Sequence, residues 1–294
     1  MSETLVGFIG TGHLGGAIVT ALLKAGYEVA IFDSDARVMA ALKEKGARPL
    51  ASAHAVGDEA AIVFACLPTP EICQAVALAE DGVAAGKAIE IYVETSTLGL
   101  AAIDAIAAGL AARKIRFLDN PIVGGGGGAG IADGKAATIT AGPRDAFERI
   151  EPILKSLTRN VFYAGEKPGL AQICKCVNAA LAITGLTIAC EAMVMGVKAG
   201  IDAKLLLDIV NAGSGRNVTT EERFARTVLA RNFGGNAMRI MSKDMKLYAE
   251  TAHALGLPSF VGSNIAEIWN AAVARDVQHL VQFFESFAEV EVKS

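Results

Sequence analysis

Several classes of protein are excluded by what this chain has little of. Its 294 residues include only four histidines and five cysteines. The cysteines (Cys66, Cys73, Cys174, Cys176 and Cys190) are odd in number and never take a C-x-x-C spacing. No histidine accompanies a cysteine cluster, so a zinc site is not expected and no metal is assigned. The plain reading is five reduced, mostly buried thiols in a cytoplasmic protein. Aromatic residues make up only 6%, against 52% hydrophobic overall, so Ala, Val, Ile and Leu must fill the core. The net charge is −4 and no block of like charge occurs, so neither an interaction tail nor a nucleic-acid partner is expected. The opening MSETLVGFIGTG has no basic stretch leading into a long apolar one, so no secretory signal is expected. No run approaches 18 uninterrupted apolar residues, so no membrane span or membrane partner is expected. What remains is the profile of a compact α/β or α-rich protein.

Along the chain, short apolar β-rich runs alternate with segments of helical periodicity. TLVGFIG (4–10), YEVAIFD (27–33), AAIVFACLP (60–68), AIEIYVETST (88–97), IRFLDNP (115–121), KAATITAG (135–142) and NVFYAG (160–165) read as strands. Helices are expected between them. This order marks a doubly wound, mostly parallel sheet of Rossmann type. After residue 165 strand patterns cease. Residues 169–198 read as one long helix of about 45 Å at 1.5 Å per residue, and further helices are expected over 202–211, 219–230, 236–255, 262–274 and 276–288. The fold class is therefore α/β: an N-terminal Rossmann domain over 1–165, then an all-α domain over 166–294, joined by a long helix.

Gly10, Thr11, Gly12, His13, Leu14 and Gly15 form G-x-G-x-x-G directly after a strand and at the start of a helix. Gly10 would make the tight turn, Gly12 would let a pyrophosphate approach the backbone, and Gly15 would let helix and strand pack closely. The helix N-terminus supplies N–H groups and positive potential. The second strand ends at Asp33, suited to accept hydrogen bonds from ribose hydroxyls and to repel a 2′-phosphate. NAD is thus expected, with NADP the lesser alternative; Arg37 is the residue that could reverse this, unless it is simply a solvated helix residue. His13 sits where its ring could reach the phosphates, although an exposed loop histidine is the plainer reading.

Taken together, the motifs resemble those of the β-hydroxyacid dehydrogenases. GFIGTGHLGGAI (7–18) resembles the family's G-F-I-G-x-G-x-M-G opening, with Leu14 for Met. LPTPE (67–71) resembles the strand-end Leu-Pro that lines the cofactor, here Leu67 and Pro68. ETSTLGL (94–100) resembles D-x-S-T-x-x-P, and LDNPIVGG (118–125) resembles D-A-P-V-S-G-G. GLAQICKCVNAA (169–180) resembles G-x-G-x-x-x-K-x-x-N, and SKDMKLYAETAHALGLPSFV (242–261) resembles the K-D-L-x-L-A segment with its G-x-P ending. The resemblance implies a small hydroxy acid substrate, a nicotinamide cofactor and a homodimer or homotetramer. Within it, Thr97 and Lys243 are expected near the cofactor, with Ser96 near cofactor or substrate.

Lys175 is the residue expected to carry the chemistry. The resemblance makes it the acid/base that handles the hydroxyl proton during hydride transfer. Its neighbours Ile173, Cys174, Cys176, Val177, Ala179 and Ala180 are apolar, and such surroundings can lower a lysine pKa towards working pH. A lysine snorkelling from a helix edge is the structural alternative. Asn178, three residues on, shares its helix face and could orient it or bind substrate. Arg216 could pair with a substrate carboxylate, or stand as a solvated loop arginine. The family's substrate-loop Ser is missing. Depending on register, Val123 or Gly125 takes its place, leaving the backbone around Gly124 as an anion nest. The competing readings are a C=N reductase of imine-reductase type and a non-enzymatic scaffold on the same fold; Lys175, Asp33 and the intact glycine motif count against them.

Overall fold

The computed structural model describes residues 5–124, 128–234 and 237–294. The chain divides into two units, Met1–Lys175 and Cys176–Ser294. The division falls inside a continuous helix, further along than the change of pattern near 165.

The first unit is built on a nine-stranded sheet. Its strands are β1 (Leu5–Ile9), β2 (Glu28–Phe32), β3 (Arg48–Pro49), β4 (Ile62–Ala65), β5 (Ile91–Glu94), β6 (Arg116–Asp119), β7 (Ile122–Val123), β8 (Ala137–Ala141) and β9 (Asn160–Gly165). They lie in the order β3-β2-β1-β4-β5-β6-β8-β7, with β9 also paired to β8. Pairing is parallel from β3 to β6; β8 runs antiparallel to β6 and β7 and parallel to β9. The helices are α1 (His13–Lys24), α2 (Ala36–Lys43), α3 (Ala53–Glu59), α4 (Pro70–Leu78), α5 (Leu100–Ala112), α6 (Gly128–Ala132) and α7 (Arg144–Leu157), followed by α8 (Leu170–Lys198), which crosses into the second unit.

The strands are apolar almost throughout because both faces are covered. Alternate residues supply two separate cores. Val6, Phe8, Phe64, Val93 and Leu118 pack with Ile18 and Leu22 of α1 and Ile150 and Leu154 of α7. Val63, Tyr92 and Phe117 pack with Val56 of α3, Cys73 of α4 and Ile103 and Ile106 of α5. Helix α3 was not expected, since Ala53–Glu59 is short and interrupted by Gly57. Ser52 caps it, its hydroxyl accepting from Ala55 N. Gly57 is required because a Cβ there would lie 2.3 Å from Val83 O. Strand β7 and helix α6 were likewise unexpected, as both adjoin the glycine run.

In the second unit α8 continues, followed by α9 (Ala203–Ala212), two π turns (Thr219–Arg223 and Ala225–Leu229), α10 (Ala237–Ala254), α11 (Phe260–Ala274) and α12 (Leu280–Ala288). Among the described residues it contains no strand. Its core gathers around Trp269, whose indole N–H donates to Thr187 Oγ1 at 2.9 Å. Helix α8 is long and apolar enough to cross a membrane by length and composition. Within the second unit, however, Ile183, Leu186, Cys190, Met193 and Val194 pack into this core.

Candidate active site

The sheet's strand order changes direction at β1, with β2 on one side and β4 on the other. Ligands of open α/β sheets bind at the carboxyl ends of the strands beside such a switch point. Gly10 follows β1 there with φ +84°, and a Cβ on it would stand 2.2 Å from Cys66 O. A Cβ on Gly15 would stand 2.0 Å from Gly10 O, so α1 backs directly onto the turn. Gly12 differs. Its φ of −62° is open to any residue, and a Cβ there would meet no atom within 4 Å. The chain itself makes no demand for glycine at position 12, which fits the close approach of a dinucleotide pyrophosphate from outside. Gly12 also caps α1 without a side chain, leaving the first-turn amides uncovered by one.

Asp33 lies just past β2 and turns back onto this loop. Its Oδ2 accepts from Thr11 N at 2.6 Å and from Thr11 Oγ1 at 3.2 Å, and its Oδ1 accepts from Asp35 N at 2.9 Å. The carboxylate is thereby pinned beside the glycine turn. Arg37 is exposed and held by Asp35, donating from Nε at 3.1 Å and from Nη2 at 2.8 Å. His13 opens α1 as an exposed residue, with its ring against the buried Gly128. Leu14 is half-buried against the core of α1 and the sheet.

The ends of β4 and β5 meet through Ser96. Leu67 N donates to Ser96 Oγ at 2.8 Å, and the Cys73 thiol approaches the same oxygen at 3.7 Å. Ser96 is buried and supports the Leu67–Pro68 turn from beneath; Thr97 is half-buried and Pro68 exposed. Under Ser96 lies Glu94, fully buried, accepting from Ser96 N at 2.9 Å and from Tyr92 Oη at 3.3 Å. Burial pushes its carboxyl up to about 7, against the opposing pull of hydrogen bonds from Ser96, Cys73 and Tyr92. At the end of β6, Asp119 is equally buried and pushed up to about 6 by burial, although Gln172 and Gly169 donate to it.

Lys175 closes the first unit. It is half-buried, and its Nζ donates to Ile122 O at 2.9 Å. The structure thus brings the lysine to the loop of Val123 and Gly124. The Val123 side chain packs against Ile139, Ala141 and Ala171, and Gly124 takes φ +81°. Gly125 lies outside the described residues. In the second unit Asn178 is exposed on α8; Arg216 is exposed with Glu221 at 4.0 Å; Lys243 is exposed with Asp244 at 3.5 Å.

Two family models match the chain: the NAD binding domain of 6-phosphogluconate dehydrogenase over residues 5–165, and the NAD-binding region of NADP-dependent 3-hydroxyisobutyrate dehydrogenase over residues 169–282. The chain belongs to the β-hydroxyacid dehydrogenase family. Among curated relatives of this dehydrogenase, a 3-hydroxyisobutyrate dehydrogenase of Pseudomonas aeruginosa is 29% identical, covering 94% of each chain. An NAD-dependent L-serine dehydrogenase of the same organism is 33% identical, covering 88% of each. The solved structure of Mycobacterium tuberculosis 3-hydroxyisobutyrate dehydrogenase with L-serine shares the fold, with a TM-score of 0.87 at 22% identity, covering 97% of this chain and 99% of that one.

Three buried polar residues of this dehydrogenase escaped the sequence reading: Glu94, Asp119 and Gln172. Glu94 and Asp119 each end a strand that is otherwise apolar at its inner positions, which is a usable signal. Gln172 had a fainter one, an amide among the apolar residues of GLAQIC.

Proposed function

We propose that this β-hydroxyacid dehydrogenase interconverts a small 3-hydroxy acid and its semialdehyde or keto form with NAD, using Lys175 as general acid/base. The observation that carries this reading is the Lys175 Nζ contact with Ile122 O, which sets the amine beside the Val123–Gly124 loop. A carbonyl oxygen only accepts, so this contact orients the amine and takes no proton from it. In oxidation the neutral amine receives the substrate hydroxyl proton; in reduction the ammonium protonates the developing alkoxide. A nicotinamide held at the switch point would supply the hydride chemistry. Gly10, Gly12 and Gly15 with the α1 amides would hold its pyrophosphate, Asp33 its adenosine ribose, and Leu67, Pro68 and Thr97 would line its path. Asp33 supports NAD over NADP because a pinned carboxylate repels a 2′-phosphate, and Arg37 is engaged with Asp35.

3-Hydroxyisobutyrate and serine, the substrates named for two relatives, share HOCH2–CHX–COO⁻ and differ only in X. We take that skeleton as the substrate class. With Val123 packed inward, the loop at Gly124 offers main chain in place of a hydroxyl. We further propose a cytoplasmic homo-oligomer. No two cysteines are joined among the described residues, and Leu181, Ile188 and Met195 stand exposed on α8.

The test is a panel of short 3-hydroxy acids with NAD and NADP, run on wild type and Lys175→Ala, with a cyclic imine as control. Turnover of one such acid is expected, with kcat in Lys175→Ala lower by about a hundredfold or more and NADH affinity preserved. Reduction of the imine with no activity on any acid would overturn the reading. Unchanged kcat in Lys175→Ala would remove the lysine from the mechanism.

A further inference from the structure

The adjacent strand ends of β5 and β6 are tied to the first turn of α8 by one side chain. Gln172 is buried, and every hydrogen-bonding position of its amide is used. Its Nε2 donates to Asp119 Oδ1 at 2.7 Å and to Ser96 O at 3.1 Å. Its Oε1 accepts from Leu98 N at 2.9 Å and from Gly99 N at 3.4 Å. Asp119 completes the clamp, with Oδ2 accepting from Gln172 N at 3.1 Å and Gly169 N at 3.2 Å, as a capping side chain would. Ser96, at the centre, also holds Leu67 N through its hydroxyl. One continuous set of hydrogen bonds therefore runs from the nucleotide-side turn at Leu67 to the head of α8. Lys175 follows Gln172 by three residues, on the same side of the helix.

We infer that Gln172 is a positioning residue for Lys175: by bonding at once to Asp119, Ser96, Leu98 and Gly99, it fixes the opening turn of α8 against the ends of β5 and β6. The inference rests on Lys175 being the acid/base. A slide or rotation of that turn would carry Nζ away from Ile122 O, and misplacement by about 1 Å is enough to cost about a hundredfold in rate. An apolar residue of the same length would fill the space equally well, so packing alone does not account for an amide here. A network this fully paired also leaves four orphaned partners if its hub is lost, which gives the geometry its stiffness.

Gln172→Met keeps the volume and removes the clamp. With the acid that the panel identifies, kcat should fall about a hundredfold while the NADH dissociation constant changes by less than about threefold. In a Lys175→Ala background the same substitution should alter residual turnover by less than about threefold, since it acts through the lysine. Gln172→Glu serves as the second variant and covers misfolding of the first. One carboxyl oxygen still accepts from Leu98 and Gly99, but the other faces Asp119 Oδ1 and Ser96 O, both acceptors. Only a proton shared with Asp119 restores the bridge, so turnover relative to wild type should recover as pH falls.

Near-normal kcat in Gln172→Met, additive losses in the double variant, or a Gln172→Glu pH profile that superposes on wild type would each overturn the inference. If Lys175→Ala itself keeps full turnover, the acid/base reading fails and this inference falls with it. If Lys175→Ala is impaired and Gln172→Met is not, only the positioning role fails.

Discussion

Glu94 is a carboxyl group that folding places where its charge is unwelcome. Its pKa rises from 4.5 to about 7 on burial. A folded-state value above the unfolded one means folding favours the protonated form. The stabilising contribution is complete below about 4.5 and disappears as pH rises through 7, a change of about 3 kcal/mol. Glu94→Gln can still accept from Ser96 N but has no proton to lose. Urea midpoints measured from pH 4.5 to 8 should show wild type losing stability relative to the variant across that window. A difference between the two that does not vary with pH would show that Glu94 titrates normally. Asp33 makes a different prediction. In Asp33→Ser the kcat/KM ratio of NAD to NADP should move towards NADP by about tenfold or more, equivalent to about 1.4 kcal/mol. The same change removes the acceptor of the buried Thr11 N–H, so the variant should also lose about 1–3 kcal/mol of stability, read by urea denaturation.

At the scale of the element, the turn between β1 and α1 separates two uses of glycine that one motif conceals. Gly15 answers to the protein, because a Cβ would strike backbone at 2.0 Å. At Gly12 a Cβ would strike nothing in the chain, which leaves the proposed approach of a pyrophosphate as the reason for glycine there. Gly15→Ala should therefore destabilise the apoprotein by about 1–3 kcal/mol or more. Gly12→Ala should cost the apoprotein no more than about 1 kcal/mol, the ordinary N-cap preference for glycine over alanine, and weaken NADH binding by about tenfold or more, roughly 1.4 kcal/mol. Thermal melts paired with fluorescence titration of NADH would separate the two. The glycine run at 124–128 begins and ends inside the first unit, so it is not a tether between the units. Gly128 lets α6 pack on α1, since a Cβ there would lie 3.0 Å from His13 O and 3.2 Å from Ala17 Cβ.

Across the whole molecule, much of the architecture can be read from local pattern. Each expected strand from TLVGFIG to NVFYAG has its counterpart, and the long helix expected over 169–198 is found as Leu170–Lys198. What escapes the sequence is held by distant contacts. Helix α3 depends on Gly57 fitting beneath Val83, and β3 is two residues ending in Pro49 that pair only because β2 is beside them. The turn at Gly10–Gly15 was legible because its glycines stand directly between a strand and a helix in the sequence itself, whereas the role proposed for Lys175 came from the family resemblance. Gln172 was not legible, because its bonds reach Ser96, 76 residues away in sequence. The second unit exposes Leu181 at 74%, Met195 at 70% and Ile188 at 54% along α8, more apolar surface than an isolated helix face needs to carry. Paired Leu181→Lys and Ile188→Glu changes should reduce the sedimenting mass to that of one 30.4 kDa chain. An unchanged mass above that of one chain would place the proposed self-association surface elsewhere, and a wild type that sediments as one chain would overturn the proposal of a homo-oligomer.

The bond from Thr11 N to Asp33 carries a consequence for descent as well as for binding. On the proposed reading of Asp33, a lineage adapting this enzyme to a phosphorylated dinucleotide would give up that carboxylate, and in the same step it would strand a buried amide in the turn. The first move is therefore penalised before any benefit arrives. The order of mutations matters: a change near position 11 that re-pairs its amide opens the route, while replacing Asp33 first closes it. The proposed preference for NAD would thus be guarded by the turn's own integrity and slow to drift.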